Sequence, residues 1–244
     1  MIAQVRAELL KIRSTRTTIG IVLGMIALIL LFSLLSGLLT KAPNLTGTED
    51  QRGLLGVGST AGVFSALAGI MLVTSEYRFG TIRPTFLFTP KRSRVVGAKL
   101  AAGLLAGVLF GVVGEGLGFA IGYASLAGRG IDYNLDAGQT TLLLLGTLAG
   151  VALWGALGVG IGMVVRNQVG AIIGLLAWGL IAENLLFAFV PSVGRFAPVH
   201  TQDALMGLTT DHLLPAAAGG AALVGWTLVF ALAAVGLAAR RDVN

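Results

Sequence analysis

Few side chains in this chain are able to do chemistry, and their placement narrows what that chemistry is. Glu115 and Glu183 stand inside long apolar stretches. A carboxylate in such a place is expensive and usually faces a bundle interior or a wet cavity, so each reads as a polar point in a path or gate. The simpler reading, and the preferred one, is a packed acid hydrogen-bonded to Asn184, a serine or a neighbouring helix, or one reaching the outer headgroups. Asn184 joins the two acids in the candidate pathway set. Both histidines fall in residues 191–214, where Arg195, Asp203 and Asp211 also lie. Zinc needs three or four converging ligands, and His200, Asp203 and His212 make only a loose set. No metal, cofactor or catalytic residue is therefore assigned. The absence of cysteine excludes disulfides, thiolate catalysis and cysteine metal sites. No Gly-x-x-x-x-Gly-Lys-Ser/Thr occurs, so the chain has no phosphate-binding P-loop of its own.

The elements that must position these residues are helices in a membrane. Of 244 residues, 55% are hydrophobic and 11% charged, with a mean hydropathy of +0.88. A soluble domain carries about 25% charged residues to cover its surface. About 20 apolar residues cross a bilayer core as a helix, and six stretches qualify: Thr17–Leu39, Leu55–Thr74, Val95–Tyr123, Thr140–Val165, Val169–Val190 and Leu213–Ala239. The expected fold is an all-α integral membrane protein of one domain, residues 1–244. Glycines at four-residue spacing (Gly103, Gly107 and Gly111, then Gly114, Gly118 and Gly122) let helix backbones approach closely. Similar pairs occur at Gly20/Gly24, Gly58/Gly62, Gly146/Gly150, Gly158/Gly162 and Gly170/Gly174. The third span, with its eight glycines, is the best candidate for a central helix, and its glycines leave open whether it flexes or breaks. Trp154, Trp178 and Trp226 read as packing residues.

Lysine and arginine set the orientation, because they accumulate on the cytoplasmic side. With the N-terminus inside, only Lys41, Arg52, Arg129 and Arg195 fall in outer segments, and the other thirteen cations fall inside. Six spans then return the C-terminus inside as well. The excess charge is thus explained by topology and lipid headgroups rather than by nucleic acid. Residues 1–16 are basic, and Ile2, Val5, Leu9 and Ile12 follow helical spacing with Gln4, Glu8 and Lys11 on the other side. That pattern predicts an amphipathic helix along the inner membrane surface, with Glu8, Lys11, Arg13 and Arg16 as its charged residues.

The inner loop at residues 75–94 mixes charge with apolar and aromatic residues: Tyr77, Phe79, Ile82, Phe86, Leu87 and Phe88. Aromatics interleaved with arginine are typical of docking surfaces. The run Glu76-Tyr77-Arg78-Phe79-Gly80-Thr81-Ile82, followed by Pro90, Arg92 and Lys99, resembles the permease subunits of bacterial type-2 ATP-binding-cassette exporters. In that family this loop carries a coupling helix that docks on the nucleotide-binding subunit. The basic start Glu8-Leu9-Leu10-Lys11-Ile12-Arg13 resembles the family's N-terminal interfacial helix.

The resemblance implies that Gly80 and Thr81 shape the turn, with Thr81 a candidate helix cap. It implies that Glu76, Tyr77 and Arg78 anchor the loop against the ATPase or the N-terminal helix. Arg83, Arg92 and Arg94 would meet an acidic partner surface or lipid phosphates, and Phe79, Ile82, Thr85, Phe86 and Pro90 complete the coupling set. It further implies a separate cytoplasmic ATPase that holds the ATP and magnesium, and a second permease copy or sister permease. Residues 191–214 would be an external or re-entrant gate, the location a bacterial inner membrane, and the cargo a hydrophobic or amphipathic small molecule, lipid or peptide. A secondary transporter or channel without an ATPase is the alternative.

Overall fold

The computed structural model describes residues 1–88 and 91–240, apart from the side chains of Arg83, Phe86, Phe88 and Arg240. Among them every regular element is helical. Helix α1 (Ile2–Ser14) leads into α2 (Arg16–Leu39). Helices α3 (Thr48–Leu55) and α4 (Ala61–Arg78) are joined by a 3₁₀ turn at Gly56–Thr60, and the short α5 (Ile82–Phe88) precedes α6 (Arg92–Gly128). Helix α7 (Ala137–Val165) is followed by α8 (Gln168–Ala177), which passes through a π turn at Trp178–Ala182 into α9 (Glu183–Phe189). Two short helices, α10 (Pro191–Gly194) and α11 (Pro198–Leu205), connect to α12 (Ala216–Arg240).

Six of these units are long and apolar enough to cross a membrane: α2, α3–α4, α6, α7, α8–α9 and α12. The second is longer than hydropathy alone indicates, because the polar α3 continues into α4 through the 3₁₀ turn and buries Gln51 and Arg52. Gln51 is wholly buried and ties two loops together. Its amide donates to the carbonyls of Leu45 (2.9 Å) and Asp132 (2.8 Å), and its oxygen accepts from the Asn134 N–H. Arg52, also buried, donates to the Gly207 carbonyl.

Helices α4, α6 and α7 form the centre and are more than half buried, whereas fewer than a quarter of the residues in α2, α8–α9 and α12 are. The reason lies in the glycines. Lipid gives no hydrophobic drive for helix association, so contact depends on close van der Waals fit. A methyl at Gly103 or Gly107 would strike the α7 backbone at Gly155 or Ala152, each 2.7 Å away. The second glycine row of α6 turns instead toward the 3₁₀ turn, where a methyl at Gly118 would lie 2.6 Å from the Gly58 backbone nitrogen. The pairs Gly58/Gly62, Gly146/Gly150 and Gly158/Gly162 are likewise close-packed. Gly20 and Gly174 have nothing within 4 Å. Four-residue spacing is present in all these pairs, but only a facing helix turns it into a contact.

The third span does not break. Helix α6 runs unbroken for 37 residues, about 55 Å at 1.5 Å per residue, because packing on both glycine rows supports it. The irregularity falls instead in the fifth span, as the π turn ahead of Glu183. Helix α7 starts in a capping box, with Asp136 accepting from the Gln139 N–H and Gln139 reaching back to the Asp136 N–H. It stops at Arg166, whose φ of 56° is left-handed. Asn167 then caps α8 through the Gly170 N–H at 2.8 Å. The hairpin between spans four and five thus turns on two residues, Arg166 and Asn167.

Candidate functional site

Helix α1, the last turn of α4 and the second turn of α6 meet at one end of the bundle. Each contributes a charge: Glu8 and Lys11 from α1, Glu76 from α4, Lys99 from α6. Lys99 is completely buried, and an ammonium in such a place stays charged only if it is paired and hydrogen-bonded. Its three donors are matched by Glu8 Oε2 at 2.9 Å, Glu76 Oε1 at 2.9 Å and the Leu72 carbonyl at 3.3 Å. Lys11 reaches the same two acids from the rim, at 2.6 Å to Glu76 and 3.1 Å to Glu8. Two acids and two lysines leave the cluster neutral.

This geometry corrects the reading of α1. Val5, Leu9 and Ile12 do pack against the bundle, on a cluster that includes Leu72, Val73 and Val96. Glu8, expected on the polar side, is buried with them, and Ile2 and Leu10 are exposed instead. The acid turns inward because Lys99 offers it a full charge there. Partial burial pulls the Lys11 ammonium toward a lower pKa, but the Glu76 hydrogen bond and the charges of Glu8 and Glu76 outweigh it. Lys11 is therefore held above the ordinary 10.5.

The cluster grips one base of the segment between α4 and α6, and cations hold its surroundings. The Arg166 guanidinium lies 5.2 Å from the centre of the Tyr77 ring. Arg166 and Arg92 donate to the carbonyls of Leu237 (3.3 Å) and Ala238 (2.9 Å) at the end of α12. Within the segment Gly80 takes φ +70°, the left-handed turn that glycine accepts without strain. The Thr81 carbonyl receives the N–H (3.4 Å) and hydroxyl (3.0 Å) of Thr85 in the first turn of α5. Ile82 is buried and roots the helix, while Phe79 and Leu87 are 72% and 81% exposed. Arg78 is exposed beside the Phe79 ring. Arg13, Arg16 and Arg94 are exposed as well. The Arg83 and Phe86 side chains and the whole of Pro90 lie outside the described residues.

The two acids of the apolar stretches are not brought together. Glu115 is buried where α6 crosses the 3₁₀ turn, against Gly58, and neither carboxyl oxygen has a hydrogen-bond partner among the described residues. Glu183 follows the π turn, and its Oε2 accepts the Val199 N–H at 2.8 Å. That N–H is one of the unpaired donors in the first turn of α11, so Glu183 caps a helix distant in sequence. Asn184 bonds neither acid; its amide turns back to the carbonyls of Gly179 and Leu180.

The histidine segment forms no metal centre: no three metal-ligating side chains converge among the described residues. His200 stacks on Phe187 at 4.1 Å between ring centres, and Asp203 is 3.9 Å from its Nδ1. Burial pushes the His200 imidazole below its usual pKa. His212 sits exposed in a turn with φ 76°.

Sequence reasoning treated Lys99 as the basic opening of a span and Glu8 as a solvent-facing acid, and so missed that they are partners. The available signal was charge mismatch: Glu8 is the sole acid in the basic first sixteen residues, and Lys99 lies well inside an apolar run. No protein-family model and no curated protein matches this chain.

Proposed function

We propose that this chain is the membrane-spanning permease subunit of an ATP-driven exporter of the type-2 ATP-binding-cassette kind. It works with a separate nucleotide-binding subunit and a second permease copy or sister. The bundle end that holds α1, α5 and the last turn of α12 faces the cytoplasm, in keeping with the positive-inside bias, so both termini are inside. The membrane is the bacterial inner membrane, and the cargo is hydrophobic or amphipathic.

The supporting observation is the buried Glu8–Lys11–Glu76–Lys99 cluster. It binds α1, α4 and α6 into one mechanical unit directly beneath a segment that presents Phe79, Arg78 and Leu87 to solvent. A partner that grips the exposed aromatic and arginine moves the clamped base with it, because bonded buried charges cannot separate cheaply. Glu76 and Lys99 thus serve as the anchor, and the exposed residues serve as the docking surface. ATP and magnesium belong to the partner.

The test is co-purification with the P-loop ATPase expressed from the same operon. Arg78→Ala and Phe79→Ala, both at exposed positions, should keep the permease folded and reduce ATPase capture and transport. Full capture with normal transport in both variants overturns the docking surface. A secondary transporter is the second reading, favoured by the unpartnered buried Glu115. Transport that needs an ion gradient and no ATPase would establish it.

A further inference from the structure

Helices α7, α8 and α12, with α11 at one end, line a half-open cavity of about 300 Å³. Its walls are almost wholly apolar, and all three tryptophans of the chain line it, with Phe230. Glu183 is the one ionisable side chain among the lining residues, which include no lysine, arginine or histidine. Glu183 is fully buried. Its Oε2 is occupied by the Val199 N–H. Its Oε1 has no partner in hydrogen-bond geometry, although the Trp178 indole approaches the carboxylate.

We propose that this cavity binds a lipophilic cation, an apolar body bearing a protonated amine, with Glu183 as counter-ion and the tryptophan rings as walls. Three observations converge on that ligand class. The single ionisable lining group is a carboxyl, so an ammonium complements its ionised form, and no lining cation is there to hold an anion. Indole faces attract ammonium groups through their ring quadrupole. A buried carboxyl oxygen without a partner costs free energy that an N–H donor recovers, and an acyl chain lying in the same space would leave that cost standing. The glycine pair of α8 makes the room: a methyl at Gly174 meets nothing within 4 Å, and one at Gly170 meets only Asn167 and Val165, at 3.5 Å and 3.7 Å. The site belongs to one protomer, so its failure would leave the exporter reading untouched, and the reverse also holds.

The experiment titrates the purified full-length chain in detergent with amantadine, a compact hydrocarbon cage carrying an ammonium. The control is adamantane-1-carboxylate, the same cage with an anion. Because every tryptophan lines the cavity, intrinsic fluorescence reports occupancy directly. Amantadine should shift the emission saturably and the carboxylate should not. Glu183→Gln still accepts the Val199 N–H but loses the charge, and should weaken binding about tenfold or more, the scale of one charge-assisted hydrogen bond. Gly174→Phe fills open space rather than packed space, and should abolish binding with helicity unchanged. Equal responses to both cages, or undiminished amantadine binding in both variants, overturns the proposal and marks the cavity as an acyl-chain groove.

Discussion

Replacing Lys99 by methionine tests the ion cluster most sharply. Methionine keeps the length and apolar stem of the side chain and removes only the ammonium. In the wild-type protein two carboxylates stand 2.9 Å from Lys99 Nζ. At an effective dielectric constant of about 20, each contact is worth about 6 kcal/mol before desolvation is subtracted. Desolvation cancels most of that, and removing one member of a buried pair costs about 3–5 kcal/mol, because the orphaned charges remain. Lys99→Met leaves Glu8 and Glu76 with Lys11 alone, whose side chain is 45% exposed, and so leaves one negative charge unbalanced. The double variant Lys99→Met/Glu8→Gln is neutral again and should regain at least half of the loss. The assay is loss of helical circular dichroism in a denaturing-detergent titration. If the single variant unfolds with wild-type stability, or the double variant does no better than the single, the cluster is not held together by charge pairing and the reasoning fails.

Two further outcomes follow from the packing and the rim. Gly158→Ala places a methyl against the Ala66 carbonyl, and should destabilise by about 1–3 kcal/mol, as overpacked cores do; Gly20→Ala meets nothing within 4 Å and should gain up to about 1 kcal/mol from helix propensity, both read in the same titration. Lys11 has a raised pKa in the folded state, so its contribution is complete below the ordinary 10.5 and is lost as pH climbs through the raised value. Stability measured upward from that pH should fall in the wild type and fall less in Lys11→Met, and equal slopes would remove Lys11 from the cluster.

Much of the fold was legible because lipid is a demanding solvent. With no water to satisfy a backbone, a span must be a continuous apolar helix, and six such runs can be read from hydropathy alone. Boundaries slipped where a polar segment hid itself in tertiary contacts, as in α3, where Gln51 and Arg52 are buried on loop carbonyls that no local pattern announces. The point of irregularity was not legible for a similar reason. Eight glycines weaken an isolated helix, but in α6 six of them are the surface on which α7, the 3₁₀ turn and the end of α3 pack. The π turn of span five has no comparable signature in composition.

The charged residues divide in the same way. The six apolar helices, the basic, aromatic segment between the second and third, and the lack of a Gly-x-x-x-x-Gly-Lys-Ser/Thr run can be read from the chain alone, since each is a local property of composition and spacing. Only the tertiary structure decided that Lys99 and Glu8 are partners 91 residues apart, that Glu183 caps α11, and that three tryptophans line one cavity. Such pairings depend on which helix faces which, and a periodic pattern specifies a face without naming its neighbour. A buried charge takes its meaning from the opposite charge it meets, and that meeting exists only once the bundle has closed.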